Sequence, residues 1–297
     1  MTHTPRILGA ALVLFLSACA SDYEDAQEKP ILQDSSHRLI EVKGFARPEA
    51  VRYDADQDVY FVSNFNGDSA GDSNGFISKV SHDGVILEMQ FITGSDEAPL
   101  HGPRGMYITG ETLWVADADG VHGFNRITGD AEAFIDFTSF EPGFLNDVAV
   151  APNGSLYVTD TGNAAVYMAR DGVVSVAVDS LEFPPNGITW DPSTESMVIA
   201  PWAGGQVFLH LDVNTHEIRP GVSGIGGNYD GIEYVGEDFI VTSQVDSSLY
   251  AIRGGVSTRI IATPGRPADI GVDTRRNHVA VPYIALDRVD IWALRVN

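Results

Sequence analysis

One phrase recurs six times in this chain: a polar residue, one spacer, an apolar triplet, a turn, then a short strand of aliphatic and aromatic residues. The copies begin at Glu49, Arg104, Asn146, Asn186, Asp230 and Ala268, at intervals of 55, 42, 40, 44 and 38 residues. The clearest runs Asn146-Asp147-Val148-Ala149-Val150-Ala151-Pro152-Asn153-Gly154-Ser155-Leu156-Tyr157-Val158-Thr159-Asp160. A period of roughly 40–50 residues is that of one propeller blade. Within the phrase Val148 and Val150 flank Ala149, and Leu156 and Val158 flank Tyr157, the period-two pattern of a strand. Turn residues such as Pro152-Asn153-Gly154, Asp191-Pro192-Ser193 and Asp83-Gly84 bound the strands. No run with convincing helical periodicity interrupts them, which argues against βαβ architectures. The expectation is an all-β fold, a six-bladed β-propeller with four antiparallel strands per blade. Val289 to Leu294 reads as the third strand of the last blade. Arg38 to Val42 reads as its outer strand, closing the ring and hiding the sheet edges.

A chain of 297 residues, 44% of them hydrophobic, suits one large globular unit. Its formal net charge of −23, from 41 acidic against 18 basic residues, argues against binding nucleic acid or an anionic membrane through general electrostatics. The balance is compatible with cations, with neutral ligands, or with solubility alone. The N-terminus reads as processing information. Arg6 precedes the apolar run Ile7 to Leu16, too short to span a bilayer and sized for a signal-peptide core. Leu16-Ser17-Ala18-Cys19 resembles the lipobox of bacterial lipoproteins, which implies lipidation of Cys19, the sole cysteine. The division expected is a signal peptide over 1–18, a lipidated tether over 19–36, and the propeller over 37–297. The mature protein is then a monomer on the outer membrane facing the periplasm, touching the membrane only through its lipid anchor.

In a propeller the innermost strand of each blade lines a central channel, so the six phrase-initial residues converge on one mouth. Four of them are oxygen donors: Glu49, Asn146, Asn186 and Asp230. Carboxylates and amide carbonyls are hard ligands suited to Ca²⁺ or another hard divalent cation. The competing reading is that Asn and Asp stand there as turn formers. Loops beginning at Asn64, Asp117, Asp160, Pro201, Gln244 and Tyr283 open on the same face. Trp202 and Tyr283 then either wall an apolar substrate pocket or pack their blades. The acidic, glycine-rich stretch from Asn64 to Gly75 reads as a lid at the mouth or as a plain insertion.

Asn146-Asp147-Val148-Ala149-Val150, Pro185-Asn186-Gly187-Ile188-Thr189-Trp190 and Asp230-Gly231-Ile232 resemble the senescence marker protein/gluconolactonase family. Its relatives include the paraoxonases and strictosidine-synthase-like propellers. The resemblance spans about residues 38–297 in the right blade order. It implies that Glu49, Asn186 and Asp230 bind a divalent metal, with Asn146 beside it as ligand or substrate contact. Two departures weigh against a polar sugar acid as substrate. Phe144 stands where sugar-lactone members usually carry Arg, and Pro48-Glu49-Ala50-Val51-Arg52-Tyr53 lacks the Gly-Pro-x-Trp that often follows the glutamate. Arg104 either supplies a cation over the mouth or pairs with Glu49 or Asp230.

The expected function is a calcium-dependent hydrolase of lactones or related esters acting on a small molecule. The metal polarises the carbonyl, and Asp230 or His101 takes the proton of the attacking water. The alternative is a non-catalytic, metal-stabilised propeller that binds a ligand or protein partner in the periplasm. An isomerase or lyase on the same scaffold is a third possibility. No Gly-x-Ser-x-Gly elbow, Cys-His pairing, phosphate loop or His-Glu-x-x-His motif is present, which leaves covalent and nucleotide chemistry without support.

Overall fold

The structure, a computed structural model, describes Met1 and residues 37–95 and 98–294. The expected signal peptide, Cys19 and the tether therefore lie outside the described residues, Met1 apart. After β1 (Arg38–Lys43) the strands come in fours. Blade one is β2 (Pro48–Asp54), β3 (Val59–Asn64), β4 (Phe76–Ser81) and β5 (Ile86–Thr93); blade two is β6 (Met106–Thr109), β7 (Thr112–Ala116), β8 (Gly120–Asn125) and β9 (Ala131–Asp136). Blade three is β10 (Leu145–Val150), β11 (Leu156–Asp160), β12 (Ala165–Arg170) and β13 (Val173–Val178). Blade four is β14 (Pro185–Asp191), β15 (Ser196–Pro201), β16 (Val207–Asp212) and β17 (Ile218–Ser223). Blade five is β18 (Tyr229–Val235), β19 (Asp238–Ser243), β20 (Ser248–Arg253) and β21 (Val256–Ala262). Blade six is β22 (Gly271–Asp273), β23 (His278–Tyr283), β24 (Arg288–Ala293) and, on its outer edge, β1. Six four-stranded antiparallel sheets result, as the period requires.

Ring closure is made by residues from both ends of the chain. Ile40 pairs with Ile291 and Val42 with Val289, so the last sheet is completed by the first strand. Burial grades outward along each blade. The second strands of blades one, four and five, β3, β15 and β19, are buried along their whole length, whereas the outer strands β5, β9 and β13 are largely open to solvent.

Hydrophobic stabilisation is concentrated between blades. Ala50, Phe61 and Ile77 of blade one pack with Met106, Leu113 and Val115 of blade two. Comparable clusters join the remaining neighbours around the ring. Removing apolar surface from water on both faces of every sheet makes the ring cooperative, because no blade buries its own faces alone.

Ion pairs brace one face. Arg126 grips both carboxylate oxygens of Asp54 at 2.8 and 2.7 Å and reaches the Gly110 carbonyl, tying blade two to blade one. Arg276 does the same between blade six and Asp58 of blade one. No helix among the described residues is long and apolar enough to cross a membrane.

Candidate metal centre at the channel mouth

A β-bulge at the start of the inner strand sets the direction of each donor. In blade one Pro48 pairs with Asn64 and the next partners are Val51 and Val62, so Glu49 and Ala50 together face Ser63. The same slip sets Asn146 and Asp147 against Thr159, Asn186 and Gly187 against Ala200, and Asp230 and Gly231 against Thr242. An extra residue in one strand re-aims its side chain away from the regular alternation. In each of these four blades the slipped pair begins with the oxygen donor of the phrase. In blades two and six the regular ladder starts at Met106 and Gly271, but the backbone is paired before it: Arg104 N–H donates to the Ala116 carbonyl, Ala116 N–H to the Gly105 carbonyl, and Ala268 N–H to the Pro282 carbonyl.

The bulge frees a backbone N–H, and the facing strand answers with a hydroxyl. Ala50 N–H donates to Ser63 Oγ at 2.9 Å, Asp147 N–H to Thr159 Oγ1 at 3.0 Å, and Gly231 N–H to Thr242 Oγ1 at 2.8 Å. Blade four has Ala200 there instead. All three hydroxyl residues are fully buried. A buried N–H stripped of its acceptor costs about 1–3 kcal/mol. Thr242→Val is therefore expected to destabilise the protein by about that amount, read by denaturant unfolding, and to weaken cation binding because the Asp230 bulge loses its anchor.

The donors are buried and short of partners. Glu49 Oε2, Asn186 Oδ1 and Asp230 Oδ1 are shielded from solvent and accept no hydrogen bond. They belong together: Glu49 feels the charge of Asp230, and Asp230 interacts with the Asn186 amide. Burial, with the Asp230 charge next, pushes the Glu49 carboxyl well above the usual carboxylate range. Burial likewise pushes Asp230 up to about 7, opposed by the hydrogen bond from Gln244. Gln244 Nε2 donates to Asp230 Oδ2 at 2.6 Å, which leaves Oδ1 as the free oxygen. Asn146 is held differently. Its Nδ2 donates to Thr161 Oγ1 at 2.9 Å, and that hydroxyl donates to the Pro185 carbonyl beside Asn186. Buried acceptors without donors, carrying like charges, are an arrangement that a hard divalent cation relieves. The residues present fit such an ion.

Arg104 makes neither of the ion pairs weighed from the sequence: no salt bridge joins it to Glu49 or Asp230 among the described residues. Only 1% exposed, it lies face-on over the Phe144 ring, 3.9 Å from guanidinium carbon to centroid. One nitrogen donates to the Ser69 carbonyl, while Nε and Nη1 have no partner. Desolvation lowers its pKa, against the pull of Asp117, Glu49 and Asp160. Phe144, noted as a missing arginine, is thus the platform on which an arginine from the neighbouring blade rests.

The remaining candidates separate. Trp202 is half-buried at the head of its loop, its N–H bonded to the Pro184 carbonyl near Asn186. Tyr283 is fully buried in the core between blades five and six, its hydroxyl accepting from Trp292 Nε1. That placement is the packing alternative, not a pocket wall. His101 is engaged by Ser73 and Asp119, with no hydrogen bond or ion pair to Glu49 or Asp230 among the described residues. The stretch from Asn64 to Gly75 is bonded to both: Ser69 accepts from Arg104, and Asp72 N–H donates to the His101 carbonyl.

Sequence reasoning passed over Asp147 and Asp269, the spacers of phrases three and six. Asp147 accepts from Val148 and Ile188 N–H at 2.7 and 2.8 Å, bridging blades three and four. Burial pushes it up to about 7, and burial plus the Asp147 charge pushes Asp269 well above the carboxylate range. A side chain at Gly105 would stand 2.1 Å from Asp147 Oδ1, and one at Gly187 2.2 Å from the Asp230 carbonyl. The small spacers make room for their neighbours' carboxylates and backbone. An acidic spacer facing a glycine spacer was the available signal. At the other end of the inner strands, Arg52 and Glu233 pair in a cavity bordered by Tyr107 and Trp190. A cleft of about 870 Å³ between blades two and three also opens there, away from the donors.

No protein-family model matches the chain, and no curated protein matches its sequence. Solved structures do. A structural-genomics structure assigned as a gluconolactonase is 17% identical, with a TM-score of 0.66 over 86% of this chain and 90% of that one. A streptogramin B lyase is 12% identical, TM-score 0.64, over 88% and 98% of the two chains. The virginiamycin B lyase of Staphylococcus aureus is 12% identical, TM-score 0.62, over 88% and 100%. This chain shares their fold. At such identities the likeness extends to architecture and no further.

Proposed function

We propose that the chain is a divalent-metal-dependent hydrolase of lactones or related esters, working at the channel mouth with calcium or another hard divalent ion. The carrying observation is the trio of buried, unpartnered oxygens, Glu49 Oε2, Asn186 Oδ1 and Asp230 Oδ1, delivered by bulges from three blades. Asn146 completes the proposed ligand set from the fourth bulge. The bound ion supplies Lewis-acid polarisation of a carbonyl and stabilises charge developing on its oxygen.

The chain's own groups supply the rest. Gln244 fixes the Asp230 carboxylate by one oxygen, and burial raises this carboxyl in the metal-free chain, against the lowering that a bound cation would impose, so Asp230 is the proposed proton acceptor. Burial of the donors excludes water that would otherwise screen them. Arg104, its guanidinium over the Phe144 ring with two nitrogens unpartnered, is the proposed partner of a negatively charged or strongly polar oxygen of a small-molecule substrate. Membership of the gluconolactonase-like propellers is part of the reading and rests on the ordered phrases together with the shared fold. A lipid anchor at Cys19, on the bacterial outer membrane facing the periplasm, is proposed from the lipobox-like Leu16-Ser17-Ala18-Cys19.

The test is a panel of lactones and aryl esters assayed with calcium, with chelator, and with calcium restored. Turnover of at least one member, lost with chelator and recovered with metal, is the expected result. Running the reaction in oxygen-18 water separates hydrolysis from the second reading, elimination. Hydrolysis places one heavy oxygen in the product and elimination places none. Absence of any turnover with calcium bound would sink the enzyme and leave a metal-stabilised binding propeller.

A further inference from the structure

We propose a second metal site on the rim of blade two, for a zinc-class divalent transition ion, formed by His122, Asp119 and His101 with Asp117. It is independent of the channel-mouth cation and differs from it in donor chemistry. His122 Nε2 lies 3.1 Å from Asp119 Oδ1 and 3.8 Å from Asp117 Oδ2, and one ligand atom from each of the three lies within 4.8 Å of the others. His101 Nε2 approaches the other oxygen of Asp119, Oδ2, at 3.6 Å. With zinc–ligand bonds of about 2.0–2.2 Å in a tetrahedron, donor atoms on one ion stand about 3.3 Å apart. The spacings of His122 to Asp119 and Asp117 and of His101 to Asp119 bracket that value, while His101 stands outside the trio whose ligand atoms all lie within 4.8 Å and would have to move inward to complete the set. Imidazole nitrogen with carboxylate oxygen is a borderline donor set, one that suits zinc, cobalt or nickel and is poorly matched to calcium.

The surroundings orient the donors. The His122 ring is buried between Phe124 and Phe134, with centroids at 6.0 and 4.6 Å, which fixes its plane so that Nε2 faces the two aspartates. Asp117 Oδ2 accepts from His101 N–H, and its Oδ1 from Gly102 and Ala118 N–H, so this carboxylate is rigid. His101 Nδ1 meets Ser73 Oγ at 2.9 Å. When Nδ1 donates to that hydroxyl, Nε2 keeps its lone pair toward the Asp119 carboxylate, and a cation between them removes the opposition. Metal-bound histidines characteristically use their second nitrogen in this way. His101 and Asp119 are partly exposed, which gives the ion a path in and room for a water ligand. Through Ser73 and the Asp72 N–H bond to the His101 carbonyl, a bound ion would also fasten the 64–75 stretch beside Arg104.

The test is Co²⁺ titration of the full-length, metal-stripped protein, followed by visible absorption, with Zn²⁺ and Ca²⁺ titrated by calorimetry. A cobalt spectrum displaced by one equivalent of Zn²⁺ is expected. His101→Ala and Asp119→Asn, both at partly exposed positions, should weaken Co²⁺ and Zn²⁺ binding at least about tenfold and leave Ca²⁺ binding unchanged. The Glu49→Gln/Asp230→Asn double variant should do the reverse, so failure of either site is read separately. Absence of a cobalt spectrum, or equal affinity in wild type, His101→Ala and Asp119→Asn, overturns the proposal and leaves a hydrogen-bonded His–Asp cluster.

Discussion

Asp230→Asn is expected to lower turnover by on the order of 10³-fold, the scale on which a single group stabilising transition-state charge is felt, and to abolish calcium binding. The substitution is nearly isosteric, so its effect must come from charge and donor placement. Gln244 Nε2 donates to Asp230 Oδ2 at 2.6 Å, and that contact demands an oxygen. An asparagine satisfies it by turning its own oxygen toward Gln244. Its NH₂ group then occupies the position of Oδ1, the buried oxygen without a partner. A donor pointed at the cation repels it, and the ligand set loses a charge as well. In chelator the same variant should unfold no more easily than wild type, because a neutral amide is cheaper to bury than a carboxylate. Calorimetry with Ca²⁺ and unfolding in chelator, run beside the turnover assay, separate a lost site from a lost fold. Asp230→Asn with full calcium affinity would remove Asp230 from the ligand set.

Much of this was legible because it is periodic. The six phrases predicted six blades, and closure of the last sheet by Arg38–Val42 against Val289–Leu294 followed from the strands left over. Periodicity says which residues share a position but not which way they point. Glu49, Asn146, Asn186 and Asp230 are aimed by bulges, and a bulge is a register slip between two strands that neither strand shows alone. Ser63, Thr159 and Thr242 were the readable trace of it: a hydroxyl residue among the apolar residues of a second strand, at one register in three blades.

Arg104 was harder. Its resting place on Phe144 depends on two blades meeting, so the departure at Phe144 and the cation weighed at Arg104 are one contact. Tyr283 failed for the opposite reason. Its place at the end of a second strand suggested the loop face, but its ring turns into the core between blades five and six. Asp147 and Asp269 were hidden because a lone acidic spacer resembles a turn residue until the glycine opposite it is known.

Metal-free protein is expected to lose stability as the pH rises from about 4 to about 7, the reverse of ordinary acid denaturation. Asp147 and Asp230 are held up to about 7 in the folded chain, chiefly by burial, and Glu49 and Asp269 are likewise held well above the carboxylate range. Unfolded, such groups titrate near about 4. Below that pH they are protonated in both states, and the stability is present in full. Between the two values the unfolded chain releases protons that the folded chain keeps, so each step upward in pH favours unfolding. Above about 7 Asp147 and Asp230 ionise in the folded chain as well, and their share of the loss levels off. Between pH 5 and pH 8 in chelator the fall in Tm should be on the order of 10 °C. Calcium reverses the slope, because it binds the ionised carboxylates and stabilises the fold by mass action, about 2.7 kcal/mol at a hundred times Kd. Glu49→Gln/Asp230→Asn should remove the calcium response and make the chelated profile shallower, leaving the share of the slope that belongs to Asp147 and Asp269. A chelated protein with constant Tm across pH 5–8 would mean that these carboxylates are already solvated and ionised, and the burial that makes them ligands would be refuted with it.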